Sequence, residues 1–155
     1  MKICVFSDSH GNPDKMKEAI GREKPNLVFF LGDGERDIAA LRRDCPQLPL
    51  QAVRGNCDLH SELPAALTCV AGGVRFFLTH GHRFGVKTDR WFDALKEEAR
   101  RSHAQAALFG HTHEAFLQQD GSLLLMNPGS IRGYAASYGV IEIRDGSLLP
   151  RIVYL

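Results

Sequence analysis

Five short apolar runs in this chain each lead directly into a polar cluster built from histidine, aspartate or asparagine, with glycine close by. Residues 2–7 run into Ser7-Asp8-Ser9-His10-Gly11, and residues 27–31 into Gly32-Asp33. Residues 50–53 lead to Gly55-Asn56-Cys57-Asp58, residues 74–79 to His80-Gly81-His82, and residues 106–109 to Gly110-His111-Thr112-His113. Runs of that length suit buried strands rather than helices. Polar clusters at the carboxyl ends of strands lie where α/β sheets form their sites. Glycine beside them permits tight turns and close backbone approach.

Between the first three runs the apolar period becomes helical. Asn12 followed by Pro13 predicts an N-cap and a first helical residue, because asparagine caps free N–H groups and proline lacks one. Met16, Ala19 and Ile20 then share a face, and Ile38, Leu41 and Cys45 predict a second short helix. Such alternation implies β-α-β units with parallel pairing. The second half has another pattern. Segments 66–70 and 74–79 predict strands joined at Gly72-Gly73. Thr88 is read as the cap of a helix over 89–101, with Trp91, Phe92, Leu95 and Ala99 facing inward. The Asp120-Gly121 and Asp145-Gly146 pairs predict hairpins with type I′ turns. The expected architecture is α/β, two packed sheets with helices outside, in one domain spanning residues 1–155.

Composition narrows the function classes. Nineteen Lys and Arg against 18 Asp and Glu give a formal net charge of +1. That balance supplies no general attraction for nucleic acid or anionic membrane. Cys4, Cys45, Cys57 and Cys69 include no C-x-x-C pair and suggest no disulfide framework, so a reducing cytoplasm is the expected compartment. The N-terminus turns polar too early for a signal peptide, and no apolar run reaches membrane-span length.

Taken singly, the polar clusters are weak signals, since Gly-Asp and Gly-Asn are ordinary turn dipeptides. His111-Thr112-His113 says more, because residues i and i+2 of an extended segment point the same way. Together the clusters hold five of the seven histidines, which independent turns would not produce. Carboxylates, imidazoles and one neutral amide, with no thiolate, suit Mn, Fe, Zn, Ni or Co, with Mn the first expectation. Asp8, His10, Asp33, Asn56, His80, His111 and His113 are too many donors for one tetrahedral ion but natural for two sharing a carboxylate. Two ions roughly 3.5–4 Å apart activate a bridging water and stabilise in-line displacement at phosphorus.

The motifs SDSHG (7–11), LGD (31–33), VRGNCD (53–58), LTHGHRFGVK (78–87), FGHTH (109–113) and MNPGS (126–130) resemble those of the calcineurin-like metallophosphoesterase superfamily. They are most similar to its small prokaryotic branch, the YfcE-like phosphodiesterases. The resemblance spans nearly the whole chain, in order and without a large insertion. It implies a four-layer α-β-β-α sandwich of two mixed sheets. It also implies one metal on Asp8, His10 and His113, the other on Asn56, His80 and His111, and Asp33 bridging both. His82 is left as a neighbour of the ligands or a substrate contact, with a structural role equally open. Arg54, Arg83, Lys87 and Arg132 are candidates to neutralise a phosphate, although each alone reads as solvated surface charge. The turn Asn127-Pro128-Gly129-Ser130 reads as a rigid support, and His60 and His103 receive no role.

One departure stands out. Many superfamily members place histidine directly after the metal-binding asparagine, and this chain has Cys57, a poor general acid. The expected activity is binuclear-metal-dependent hydrolysis of phosphodiesters, with small phosphoesters as substrates and attack by a metal-bridging hydroxide. The competing readings are a non-catalytic interaction scaffold of the same fold and a metal-dependent nuclease. No stable nucleic-acid partner is expected, and a homo-oligomer is compatible with the sequence.

Overall fold

In the first strand, alternate side chains enter two different cores. The computed structural model describes residues 1–155, and in β1 (Lys2–Phe6) Ile3 and Val5 face one way while Cys4 and Phe6 face the other. β2 (Leu27–Phe30) repeats the division, with Phe29 on the first side and Val28 and Phe30 on the second. Strands buried on both faces read as continuous apolar runs, which is why these runs lack alternation.

β1, β2 and β3 (Leu50–Ala52) pair in parallel, connected through α1 (Pro13–Glu23) and α2 (Glu35–Asp44). β9 (Ser137–Arg144) and β10 (Ser147–Tyr154) complete that sheet as antiparallel strands, in the order β10-β9-β1-β2-β3. The second sheet has the order β4-β5-β6-β8-β7. Its β4 (Ala66–Ala71) and β7 (Ala115–Asp120) are antiparallel to their neighbours. Its β5 (Val74–Thr79), β6 (Ala106–Leu108) and β8 (Leu123–Pro128) are parallel. Both sheets are therefore mixed.

Ile3, Val5, Phe29, Phe76, Leu78, Leu108 and Met126 fill the space between the sheets. Met16, Ala19, Ile38 and Leu41 bring α1 and α2 onto the outer face of the first sheet. Leu95 and Ala99 bring α3 (Asp93–Arg101) onto that of the second. Each fully buried large side chain contributes about 1.5–3 kcal/mol. Helix, sheet, sheet, helix is the expected four-layer sandwich.

Three local readings differ. Asn12 does precede the helix that starts at Pro13, but its side chain makes no capping bond. The third helix begins at Asp93, four residues later than expected, because Phe92 adopts a left-handed φ of 54°. Asp89, not Thr88, caps this turn by accepting N–H groups from Trp91 and Asp93. Trp91 is consequently 72% exposed, while Phe92 packs against Phe109 and Phe116 at centroid distances of 4.9 and 5.0 Å. The β7–β8 hairpin turns on Gly121-Ser122, with positive φ only at Gly121, the pattern of a II′ rather than a I′ turn. The 72–73 and 145–146 turns have positive φ at both positions, as type I′ requires.

One ion pair ties a helix end to the far edge of its sheet. Glu23 accepts from both guanidinium nitrogens of Arg151, at 3.2 and 2.7 Å, and its side chain is 9% exposed. The Arg151 bonds, aided by Lys2 and working against burial, hold the Glu23 carboxyl below its usual range. A depressed folded pKa gives stability that is present above the ordinary carboxylate pKa and lost as pH falls through the folded value. Glu23→Gln should therefore cost about 1–3 kcal/mol at neutral pH. In urea denaturation the deficit should close as pH drops below the ordinary carboxylate range; an equal deficit at low pH would exclude the ion pair as its source.

Candidate metal centre

The parallel strands β1, β2, β3, β5 and β6 all end at one edge of the sandwich, and each hands its last residues to one of the polar clusters. Asp8, His10, Asp33 and Asn56 follow strands of the first sheet; His80, His111 and His113 follow strands of the second. Backbone bonds hold these tips together. Asp8 N–H donates to Gly32 O at 3.0 Å, His10 N–H to Asp33 O at 3.1 Å, and Gly110 N–H to His80 O at 3.0 Å. Two glycines allow the close contacts. A Cβ on Gly55 would stand 2.6 Å from Asp33 Cγ, and one on Gly110 would stand 2.9 Å from Asp8 Oδ2.

All seven residues singled out from the sequence are brought together. His80 Nε2 lies 3.2 Å from Asn56 Oδ1, 3.2 Å from His111 Nδ1, 3.4 Å from Asp33 Oδ2 and 3.9 Å from Asp8 Oδ1. Asp8 Oδ1 also faces His113 Nε2 at 3.0 Å and His10 Nε2 at 3.8 Å. His10 Nε2 reaches Asp33 Oδ2 at 4.0 Å. Asp8 Oδ1 is fully buried yet accepts no hydrogen bond, although His113 Nε2 stands 3.0 Å away.

Three of the donors, His80, Asp33 and Asp8, are aimed by bonds to their other atom. His80 Nδ1 donates to Leu31 O at 2.7 Å, which leaves Nε2 to present its lone pair in the neutral ring. Asp33 Oδ1 accepts the Cys57 N–H at 2.8 Å, so Oδ2 faces His80 and His10. Asp8 Oδ2 accepts from Ser7 Oγ and from the His111 N–H, leaving Oδ1 inward. Fixing the far atom in this way is how ligating side chains are held in orientation.

Electrostatics follows from the crowding. Burial is the largest single effect on both His80 and Asp33 and disfavours their charged forms, but their mutual attraction together with the neighbouring charge of Asp8 and the bonds to Leu31 O and from the Cys57 N–H outweighs it. His80 is raised and Asp33 is held well below the usual carboxylate range, with help from the Cys57 N–H. Burial and the neighbouring His80 push His111 down to about 4, and they also lower His82. Burial, then Asp33, raises the Cys57 thiol. Converging lone pairs with one orphaned buried oxygen fit a divalent cation.

The backbone is strained at these positions. Asp8, His10, Asp33, His111 and His113 all have left-handed φ, from 44° to 71°. A non-glycine residue in that region is unfavourable by about 1–2 kcal/mol. Such outliers persist where surrounding structure over-determines them, typically at functional sites.

Two supporting carboxylates went unassigned in the sequence. Asp58 accepts the backbone N–H groups of Asp33, Gly34, Glu35 and Gly55 at 2.8–2.9 Å. Asp37 accepts Ser9 Oγ at 2.5 Å and Gly11 N–H at 2.8 Å. Only the position of Asp58 two residues after Asn56 hinted at a role; nothing local marks Asp37, which sits in a helix. Asn127 matches its reading as a support, donating to Gly110 O and Thr112 Oγ1. His82 stands beside His80 and His111, with centroids 5.5 and 6.2 Å away, and its Nδ1 is buried without a partner. Asp58→Ala should cost about 2–4 kcal/mol by orphaning charge-assisted bonds. It should also weaken divalent-ion affinity about 10–100-fold, as loss of a supporting partner does. Calorimetric titration beside a denaturation curve checks both; unchanged affinity would mean the loops hold without it.

A cleft of about 640 Å³ opens next to the cluster, lined by His10, Asp33, Arg36, Cys57 and Leu59 among others. No helix is long and apolar enough to cross a membrane.

A model of the calcineurin-like phosphoesterase superfamily domain matches residues 1–146. The chain is similar to phosphodiesterase YfcE of Escherichia coli strain K12, at 30% identity covering 98% of this chain and 97% of that one. A crystal structure of a predicted phosphoesterase from Streptococcus pneumoniae superposes with a TM-score of 0.80 at 32% identity, covering 99% of this chain and 88% of the other. Zinc-complexed Vps29 of Entamoeba histolytica superposes with a TM-score of 0.76 at 22% identity, covering 99% of each, a likeness of fold alone.

Proposed function

From the premise that the chain belongs to the calcineurin-like phosphoesterase superfamily and is a metal-dependent phosphoesterase, we propose that it hydrolyses phosphodiesters at a binuclear centre. One ion would be held by Asp8, His10 and His113 and the other by Asn56, His80 and His111, with Asp33 serving both. The observation that carries this reading is the convergence of the seven donors on two buried atoms, Asp8 Oδ1, which has no hydrogen-bond partner, and His80 Nε2. Asp33 Oδ2 lies between His80 and His10, which supports the bridge.

When bound, two divalent ions supply Lewis acidity and a water nucleophile of lowered pKa. The chain's own residues set the rest. Leu31 O fixes the His80 tautomer, and the Cys57 N–H orients Asp33. The cleft beside His10 and Asp33 offers room for an ester arm, with Leu59 as an apolar contact. Mn is the proposed ion, and small phosphodiesters are the proposed substrates. The E. coli relative's name as a phosphodiesterase favours diesters over monoesters.

A scaffold of the same fold is the second reading, favoured by the Vps29 likeness. The intact donor set weighs against it, since a scaffold has no need of seven converging donor side chains.

Metal-loaded protein should be assayed on diesters graded in leaving-group pKa, with matched monoesters. No imidazole follows Asn56, and general acid assistance is worth about 10²–10⁴-fold, more for basic leaving groups. Aryl diesters should therefore turn over far faster than alkyl diesters, and Cys57→His should flatten the dependence. No turnover of any diester would leave the scaffold reading.

A further inference from the structure

The donor inventory read from the sequence held no thiolate, yet the fold carries a thiol to the same place. Cys57 Sγ, a ring nitrogen of His10 and a carboxylate oxygen of Asp33 all lie within 4.8 Å of one another. All three residues also line the cleft, so an ion entering from solvent meets them together. Cys57 is exposed, and it is tethered to Asp33 and Asn56. Its N–H donates to Asp33 Oδ1 at 2.8 Å, and its Sγ accepts from Asn56 Nδ2 at 3.3 Å. Behind them the fully buried, unpartnered Asp8 Oδ1 faces His10 Nε2 at 3.8 Å.

Sulfur, imidazole and carboxylate together make a softer set than the imidazole and oxygen donors of the main centre. Thiolate-containing sets select zinc and similar soft ions, whereas carboxylate and water suit manganese. We infer that His10, Asp33 and Cys57 form an alternative site for a thiophilic divalent ion such as Zn²⁺ or Cd²⁺, and that an ion held there inhibits hydrolysis. Inhibition arises because His10 and Asp33 cannot serve this ion and the catalytic pair at once. It follows only if those two residues are catalytic ligands, as proposed above; the thiolate site itself stands on its own geometry. Binding replaces the Cys57 S–H bond by a sulfur–metal bond and releases the proton to solvent, and nothing is oxidised.

Metal-free protein should be titrated with Cd²⁺ while following the ultraviolet sulfur-to-cadmium charge-transfer absorption. Parallel titrations should use Cys57→Ser, His10→Ala, and Cys45→Ser as a partly exposed thiol outside the site. The band should appear in the parent and in Cys45→Ser and vanish in Cys57→Ser. Cd²⁺ affinity should fall in His10→Ala by at least the roughly 10–100-fold that loss of a supporting partner costs. A band that survives Cys57→Ser, or an affinity indifferent to His10→Ala, overturns the site. Hydrolysis of an aryl diester by Mn²⁺-loaded protein, measured with and without Cd²⁺, separates the two ideas. A full charge-transfer band in a protein that hydrolyses no diester sinks the phosphodiesterase reading and leaves the thiolate site standing. Active protein without the band does the reverse.

Discussion

Chelation should abolish hydrolysis of an activated phosphodiester by this chain, and returned Mn²⁺ should restore it. The serine hydroxyls at the cluster are spent as donors to Asp8 and Asp37, and burial, then Asp33, raises the Cys57 thiol away from its nucleophilic form. The histidines there are aimed at carboxylates and at one another rather than at a hydroxyl. Nucleophile generation, substrate orientation and charge stabilisation therefore all depend on the ions. Losing several kcal/mol of transition-state stabilisation is on the order of a 10³-fold fall in rate or more. Steady-state assays before and after chelation, with metal content measured on the same samples, provide the check. Full activity in rigorously metal-free protein would end the mechanism.

Asp33→Asn should empty both metal positions together, whereas Asn56→Ala should empty mainly one. The Asp33 carboxylate is nearly buried and its Oδ2 faces His80 on one side and His10 on the other. An amide of the same shape removes the negative charge that the two proposed cations would share, and it can turn an N–H toward His80 where a lone pair is needed. Asn56, by contrast, approaches only the His80 and His111 half. Metal counting should find both ions depleted in Asp33→Asn and one retained in Asn56→Ala. Two fully retained ions in Asp33→Asn would refute the bridge. Neither residue belongs to an apolar core cluster, so circular dichroism should show both variants folded.

Much of this arrangement was legible because its signals are local. Strands such as 27–31 and 106–109 are pure apolar runs, and the clusters that follow them are adjacent in sequence, so the site's location could be read before any contact was known. What stayed illegible depends on distance or on competition. Asp58 and Asp37 act on backbone groups that are 25 and 26 residues away at Asp33 and Gly11, and nothing in the local pattern records a partner that remote. The start of α3 was missed because the apolar spacing of Trp91, Phe92 and Leu95 mimics a helical face. Asp89 instead stabilises a turn, and the Phe109 and Phe116 rings draw Phe92 inward. The choice of His80 over His82 came from resemblance. The two rings differ in the structure: His80 Nδ1 donates to Leu31 O, which fixes its tautomer, while His82 Nδ1 has no partner.

The donors come from loops of two different sheets: Asp8, His10, Asp33 and Asn56 from one, His80, His111 and His113 from the other. An ion bound to both is a fastener that exists only while the sandwich is closed, because the unfolded chain has no equivalent constellation. By mass action, free ion at 100 times its dissociation constant would raise unfolding free energy by about 2.7 kcal/mol. Loop strain at five left-handed positions sits on the same edge and is opposed by the same binding. Ion supply should therefore set how often the two halves part there, so the chain should resist proteolysis longer as free metal rises.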